Sequence, residues 1–356
     1  MMKMGIKKNE IKQILQHNLE IFIKKLANST IFKTKRLILN DKVKCLFPTF
    51  VCQRITIRGR LQMYIDGVFS GGGIKGLAYI GAYQALEEKG FKFKRVAGTS
   101  AGAIIAALIA AGFNSEEMYE ELDKLELTMM LDEPKTFIPL KVLKWIPIYW
   151  RLGMYKGQAL ENWFDQTLQK KGVRTFGDLP PGVLRIIASD LSNGRILVLP
   201  NDLYKYNIPF ESFPIAKAIR MSCSLPYFFE PVRIKMNQRK IIIVDGGVLS
   251  NFPMWLFDQE NVIKERPVLG IKLSPNNNER PPKEIKNALQ MFEALFSTMK
   301  DAHDSRYISQ KHVKNIIFIP TDGLLTTEFG ITEEGKSNLI ELGRERTLNF
   351  LKKWTF

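Results

Sequence analysis

The 356-residue chain is 45% hydrophobic and 25% charged, with 25 glycines and 17 prolines, proportions that fit a globular protein and exclude collagen-like or wholly disordered material. Three cysteines, Cys45, Cys52 and Cys223, cannot all pair, so a reducing compartment with small buried thiols is the simpler reading, and with only three scattered histidines they draw no zinc site. The net charge of +16 is unevenly placed: residues 1–60 hold 14 Lys/Arg against 3 Asp/Glu, a net of +11, leaving +5 for the other 296 residues. Attraction to polyanions is therefore expected of an N-terminal element, with anionic membrane and nucleic acid as the two partner classes.

Residues 9–27 space Ile11, Leu15, Leu19, Phe22 and Leu26 by three or four and flank them with Lys12, Lys24 and Lys25, the pattern of an amphipathic helix that docks on a domain or lies on an anionic membrane. The opening residues lack the cleavage signature of a secretion signal, and nowhere do 18 apolar residues run together. From Leu61, LQMYIDGVF reads as a strand entering a glycine turn, and Leu77, Ile80, Ala82 and Leu86 keep helical spacing as far as Gly90. FKRVAGTS repeats the device, followed by the small-residue helix AGAIIAALIAAGF. Two successive strand, glycine turn, helix units predict βαβ architecture. Residues 115–172 are irregular and broken by Pro134, Pro139 and Pro147. Strands are then expected at LRIIASD, GRILVLP, IIIVD, LGIKLS and NIIFIP, and helices over Pro214–Ser222, Lys283–Gln310 and Thr332–Trp354. The expectation is a basic extension over 1–60 and one large α/β domain over 61–356.

Gly71, Gly73 and Gly76 satisfy G-x-G-x-x-G, but a dinucleotide site needs an acidic residue about 20 positions on, where Val96-Ala97-Gly98-Thr99 stands. Gly76 follows Lys75 where a phosphate loop of the Walker type needs Ser or Thr. After the second strand comes Gly98-Thr99-Ser100-Ala101-Gly102, a G-x-S-x-G turn. Small residues at 98 and 102 let the chain turn sharply and project Ser100 beside a helix N-terminus, whose free N–H groups suit an oxyanion. A serine nucleophile needs a base. His17 lies in the leader, and His303 and His312 do not follow a strand in the manner of a hydrolase triad. Asp245, ending an apolar strand and followed by Gly246 and Gly247, is better placed, since open sheets hold their chemistry at carboxyl ends of strands.

Taken together, GGGIKG at 71–76, GTSAG at 98–102 and DGG at 245–247 strongly resemble the patatin-like phospholipase family, as do SDLSNG at 189–194, AIRMSCSLPYFFEPV at 218–232 and DGGVLSNFP at 245–253. The likeness covers about residues 64–351 and leaves the first 60 without a role. It implies a three-layer α/β/α fold with a mainly parallel sheet, Ser100 as nucleophile and Asp245 as its base. Gly71, Gly72, Gly73 and Ala101 would frame the oxyanion hole, Lys75 would take the basic position of the loop, and Gly76, Gly98, Gly102, Gly246 and Gly247 would support the turns. It implies hydrolysis of fatty acyl esters of phospholipids or lysophospholipids without metal or cofactor. A soluble carboxylesterase or thioesterase would use the same dyad, and a noncatalytic membrane-binding protein would require loss or burial of that pair. The expected location is cytoplasmic, peripheral to the inner membrane surface, with no specific nucleic-acid partner.

Overall fold

The computed structural model describes residues 55–57, 60–124, 131–132, 146–257, 265–273, 285–286, 288–308, 313–321 and 331–355. The expected helix over 9–27 lies outside them, as does the leader up to Arg54, and the described residues all fall in the unit Cys52–Phe356. The sheet reaches back to β1 (Ile55–Ile57), which pairs antiparallel with the first residues of β2 (Arg60–Phe69). A 3-10 turn over Gly73–Leu77 leads to α1 (Ala78–Glu88), then come β3 (Phe91–Thr99) and α2 (Ala101–Ala110). Both expected βαβ units are thus present, with Met63–Phe69 of β2 opposite Phe91–Gly98 of β3 in parallel.

The described part of the irregular stretch forms α3 (Ser115–Asp123), α4 (Ile146–Arg151), β4 (Gly153–Tyr155) and α5 (Gln158–Gln169). Helix α3 starts at a reciprocal cap, in which Asn114 accepts from the Glu117 N–H and Glu117 accepts from the Asn114 N–H, satisfying two donors that a helix start leaves open. There follow β5 (Leu184–Asp190), β6 (Arg195–Leu199), α6 (Ile215–Ser222), β7 (Tyr227–Phe229), β8 (Val232–Met236) and β9 (Arg239–Asp245). The chain closes with β10 (Val268–Leu273), α7 (Ala288–Tyr307), β11 (Ile316–Ile319) and α8 (Glu333–Leu351).

Among the described residues the main sheet has nine strands, in the order β11-β10-β2-β3-β5-β9-β8, with β1 on β2 and β6 on β5. Strands β11, β10, β2, β3 and β5 are parallel, whereas β6, β8 and β9 enter antiparallel pairings. Side chains alternate across this sheet as the period of two requires. Phe69, Val96, Leu269 and Ile317 join a large core with the helices, while Val68, Ala97, Val268 and Ile316 face a smaller one closed by Phe252, Met254 and Phe257. Each of the Val, Leu, Ile, Phe and Met side chains among them, fully buried, contributes about 1.5–3 kcal/mol. Among the described residues, no helix is long and apolar enough to cross a membrane.

Strand β9 is antiparallel to β5, not one of the parallel set, with Asp245 opposite Ala188. Strand β6 covers Ile186–Asp190 on one edge of β5, so β3 and β9 share the other. β3 pairs as far as Thr99 opposite Ile187, and β9 takes over at the next residue, Ala188. The carboxyl ends of β3 and β9 consequently abut, and Ser100 and Asp245 are the residues at the junction.

Candidate active site

Ser100 occupies a turn that few side chains adopt, with φ 52° and ψ −121°, a conformation that costs energy and persists only where the surroundings enforce it. Packing enforces it here. A Cβ on Gly98 would run into the Gly102 carbonyl, and one on Gly102 into the Phe69 carbonyl, so only glycines let the first turn of α2 sit this close to the strands. Hydrogen bonds complete the constraint: the Ser100 N–H donates to Ser222 Oγ at 2.8 Å, and Ser222 Oγ donates to the Ile187 carbonyl at 2.6 Å. Ser222, at the end of α6, thereby ties the turn to β5. The Ser100 carbonyl accepts from the Ala103 and Ile104 N–H groups and starts the helix.

Asp245 is buried, its carboxylate accepts a hydrogen bond from the Gly247 N–H at 2.7 Å, and it lines the same cavity as Ser100. Burial raises its pKa from 3.8 to about 6, against the lowering effects of the neighbouring Ser100 hydroxyl, the Gly247 N–H and the Lys300 charge. The following loop is laced to the serine strand: Thr99 Oγ1 donates to the Ser250 carbonyl at 3.0 Å, and the Gly71 N–H donates to the Asn251 carbonyl at 3.1 Å. That last bond commits the Gly71 amide, so Gly71 shapes the expected oxyanion loop without having a donor to offer. Among the described residues no acceptor takes the amides of Gly72, Gly73 or Ala101, and all three residues line the cavity beside Ser100. Gly73, at φ 59°, is in the region that favours glycine.

The cavity has an apolar wall from Ile104 and Ile105 of α2, Leu160 and Phe164 of α5, and Phe228 and Phe229 of β7. Its charged lining, among the described residues, is Asp245 and Lys300. Lys300 is held below the ordinary lysine range by burial, opposed by the carboxylates of Asp245, Asp301 and Asp304. Cys223 also lines the cavity, its thiol kept protonated chiefly by burial and secondarily by the Asp245 charge.

The structure thus brings together Ser100, Asp245, the glycine loop and Ala101. Lys75 sits half-buried in the 3-10 turn and is not among the described lining residues, and neither is His303, on α7. His17 and His312 lie outside the described residues. Three participants escaped the sequence reading. Ser222 and Asn251 stand in AIRMSCSLP and DGGVLSNFP, text noted only for its family likeness, and Lys300 on α7 has no local signal, since a lysine in a long helix reads as solvated surface.

A largely parallel α/β sheet that holds a serine on a strained turn against a buried carboxylate, over an apolar cavity, has the anatomy of a hydrolase. The chain belongs to the patatin-like phospholipase family, which matches residues 67–258. It is 56% identical over 294 residues to the uncharacterized protein YqhO of Bacillus subtilis strain 168, covering 83% of this chain and 100% of that one. A probable lipid hydrolase, 463L, of Invertebrate iridescent virus 6 is 25% identical over 204 residues, 54% of this chain and 63% of the viral protein. Among solved structures, VipD from Legionella pneumophila superposes with a TM-score of 0.49 at 19% identity, over 84% of this chain and 69% of that one.

Proposed function

We propose that the protein hydrolyses fatty acyl esters of phospholipids or lysophospholipids, with Ser100 as nucleophile and Asp245 as base in the catalytic domain 61–356. The observation that carries this reading is the meeting of Ser100, on its strained turn, with the buried carboxylate of Asp245 in the lining of one apolar cavity. Above about pH 6 Asp245 is ionised and accepts the serine proton as Oγ attacks the ester carbonyl. The tetrahedral oxyanion forms beside the amides of Gly72, Gly73 and Ala101, at the N-terminus of α2, where each preorganised donor contributes about 3 kcal/mol to the transition state. Collapse expels the lysolipid or glycerophospho alcohol and leaves an acyl-serine, which water then hydrolyses with the same base. The wall of Ile104, Leu160, Phe164 and Phe228 suits a hydrocarbon chain, and the viral relative's name as a probable lipid hydrolase supports a lipid over a small soluble ester.

The test is labelling with a fluorophosphonate, followed by product analysis on a mixed phospholipid pool. Wild type is expected to be labelled at Ser100 and to release fatty acid, and Ser100→Ala to lose both with its fold intact. Labelling at another residue, or release unchanged in Ser100→Ala, would refute the assignment; turnover of short soluble esters alone would favour the carboxylesterase reading.

A further inference from the structure

Asn251 is 5% exposed, yet its Oδ1 has no hydrogen-bond partner among the described residues, an arrangement that is costly unless a ligand or water completes it. The orientation of its amide is fixed from behind. Nδ2 donates at 3.1 Å to Asp304 Oδ2, which also binds the Lys272 ammonium. Turning the amide over would set Oδ1 against a carboxylate, so Oδ1 is held on the cavity side.

There it faces the reacting groups. A Cβ on Gly247 would lie 3.0 Å from Asp245 Oδ1, 3.2 Å from Lys300 Cδ and 3.3 Å from Asn251 Oδ1, and a Cβ on Gly71 would lie 2.6 Å from Asn251 Oδ1 and 3.3 Å from Ser100 Cβ. The two acceptor oxygens are therefore no more than 3.0 plus 3.3, or 6.3 Å, apart, and Ser100 Cβ no more than 2.6 plus 3.3, or 5.9 Å, from Asn251 Oδ1, an upper bound close to the span of about 6 Å that one water reaches with hydrogen bonds of up to about 3.0 Å. Two acceptors select a group with two protons to donate, in a space that the Lys300 side chain borders. The glycine amides opposite offer the reverse chemistry, donors for an oxyanion.

We infer that Asn251 Oδ1, Asp245 Oδ1 and the bare face of Gly247 form an acceptor-hydroxyl subsite that positions the water for hydrolysis of the acyl-serine. This rests on the reading of Ser100 and Asp245 given above. One water proton is held by Asn251 Oδ1 and the other passes to the Asp245 carboxylate as the water oxygen bonds to the acyl carbon. The bond from that carbon to Ser100 Oγ then breaks, Asp245 returns its proton to Oγ, and the fatty acid leaves. Asn251 is in this scheme a catalytic residue for the second half of the reaction and a bystander in the first.

The two halves separate in the test. Full-length wild type, Asn251→Ala and Gly247→Ala are compared by the rate of fluorophosphonate labelling, which reports attack by Ser100, and by decay of the acyl adduct seen in intact mass after mixing with a p-nitrophenyl ester. Gly247→Ala keeps every polar group and fills the space, its Cβ displacing Asp245 Oδ1, Lys300 and Asn251 Oδ1 by no more than a few tenths of an ångström, so it decides the matter if Asn251→Ala, which also loses its bond to Asp304, does not fold. Labelling is expected to stay within about threefold, while adduct decay slows about ten- to hundredfold, the cost of one to two lost hydrogen bonds, and the acylated form accumulates. Unchanged decay in folded Gly247→Ala, or labelling and decay slowed alike, would overturn the subsite. Absence of any label or adduct in wild type would instead remove the Ser100 reading, and the subsite with it.

Discussion

Replacing Asp245 by asparagine is expected to abolish turnover and at the same time stabilise the fold. The folded carboxyl ionises at about 6 and the exposed one at 3.8, a difference of about two units at about 1.36 kcal/mol each, so the charge costs the native state about 3 kcal/mol. The sign follows from the order of the two values. Above about pH 6 the carboxylate is charged in both states and the full cost is present; between pH 6 and 4 the native state takes up the proton first and the cost fades; below 3.8 it is gone. Asparagine is isosteric, keeps an acceptor for the Gly247 N–H and offers a donor to Ser100 Oγ, so its gain over wild type should be about 3 kcal/mol at pH 7 and vanish towards pH 4. At about 2 °C per kcal/mol for a domain of this size, the melting temperature should rise by roughly 6 °C at pH 7. Thermal and urea unfolding of both proteins from pH 4 to 8 measures this, with ester turnover read in parallel. An asparagine variant no more stable than wild type at pH 7, or a gain that does not change between pH 4 and 7, would refute a buried charge held at a cost for function.

Much of this arrangement is legible in the sequence because it is local. The glycine turns, the strands entering them and the helix starts are written within ten residues of one another, and Gly98 and Gly102 announce the turn that only glycines permit. What is not local is not legible. Strand β8 hides because VRIKM carries Arg233 and Lys235 on its exposed side, leaving too few apolar positions to distinguish an edge strand from a loop. Strand β9 enters the sheet from a hairpin with β8 at Asn237, whose φ of 54° is a backbone fact with a weak sequence signature, and its antiparallel pairing with β5 is a long-range contact. Yet that sense decides the chemistry. A parallel β9 would carry its carboxyl end away along β5, whereas the antiparallel strand meets β3 end to end and delivers Asp245 to Ser100. Lys300 and Asn251 enter through α7 and the loop after β9, elements whose placement no local pattern records.

Three further outcomes follow from the same contacts. Lys300→Met removes the charge that lowers the Asp245 pKa, where the other groups facing that carboxylate are the Ser100 hydroxyl, the Gly247 N–H and the protonated Cys223 thiol; the acid limb of kcat/KM should move from near pH 6 upward by about one unit, and an unmoved limb would show that Lys300 does not act on the base. Ser222→Ala leaves the Ser100 N–H without its acceptor and should cost about 1–3 kcal/mol in urea unfolding with a parallel loss of turnover; a loss of stability alone would mean that the turn holds without it. The basic leader is the remaining element, and its role is proposed from sequence. Residues 1–27 contain six lysines and two glutamates with apolar residues at helical spacing, and each lysine near an anionic surface contributes about 1 kcal/mol, an attraction that fades as the Debye length falls from about 10 Å at 0.1 M salt to about 3 Å at 1 M. Deleting residues 1–27 should therefore weaken sedimentation with phosphatidylserine vesicles most at low salt and leave turnover of a soluble monomeric ester intact. Insertion of Phe22 and Leu26 does not depend on ionic strength, so full-length protein should keep a salt-resistant fraction on the vesicles that the truncated protein lacks. Equal binding by the two proteins at every salt concentration would sever the charge of the leader from any membrane role, because neither the electrostatic nor the apolar contribution could then reside in those residues.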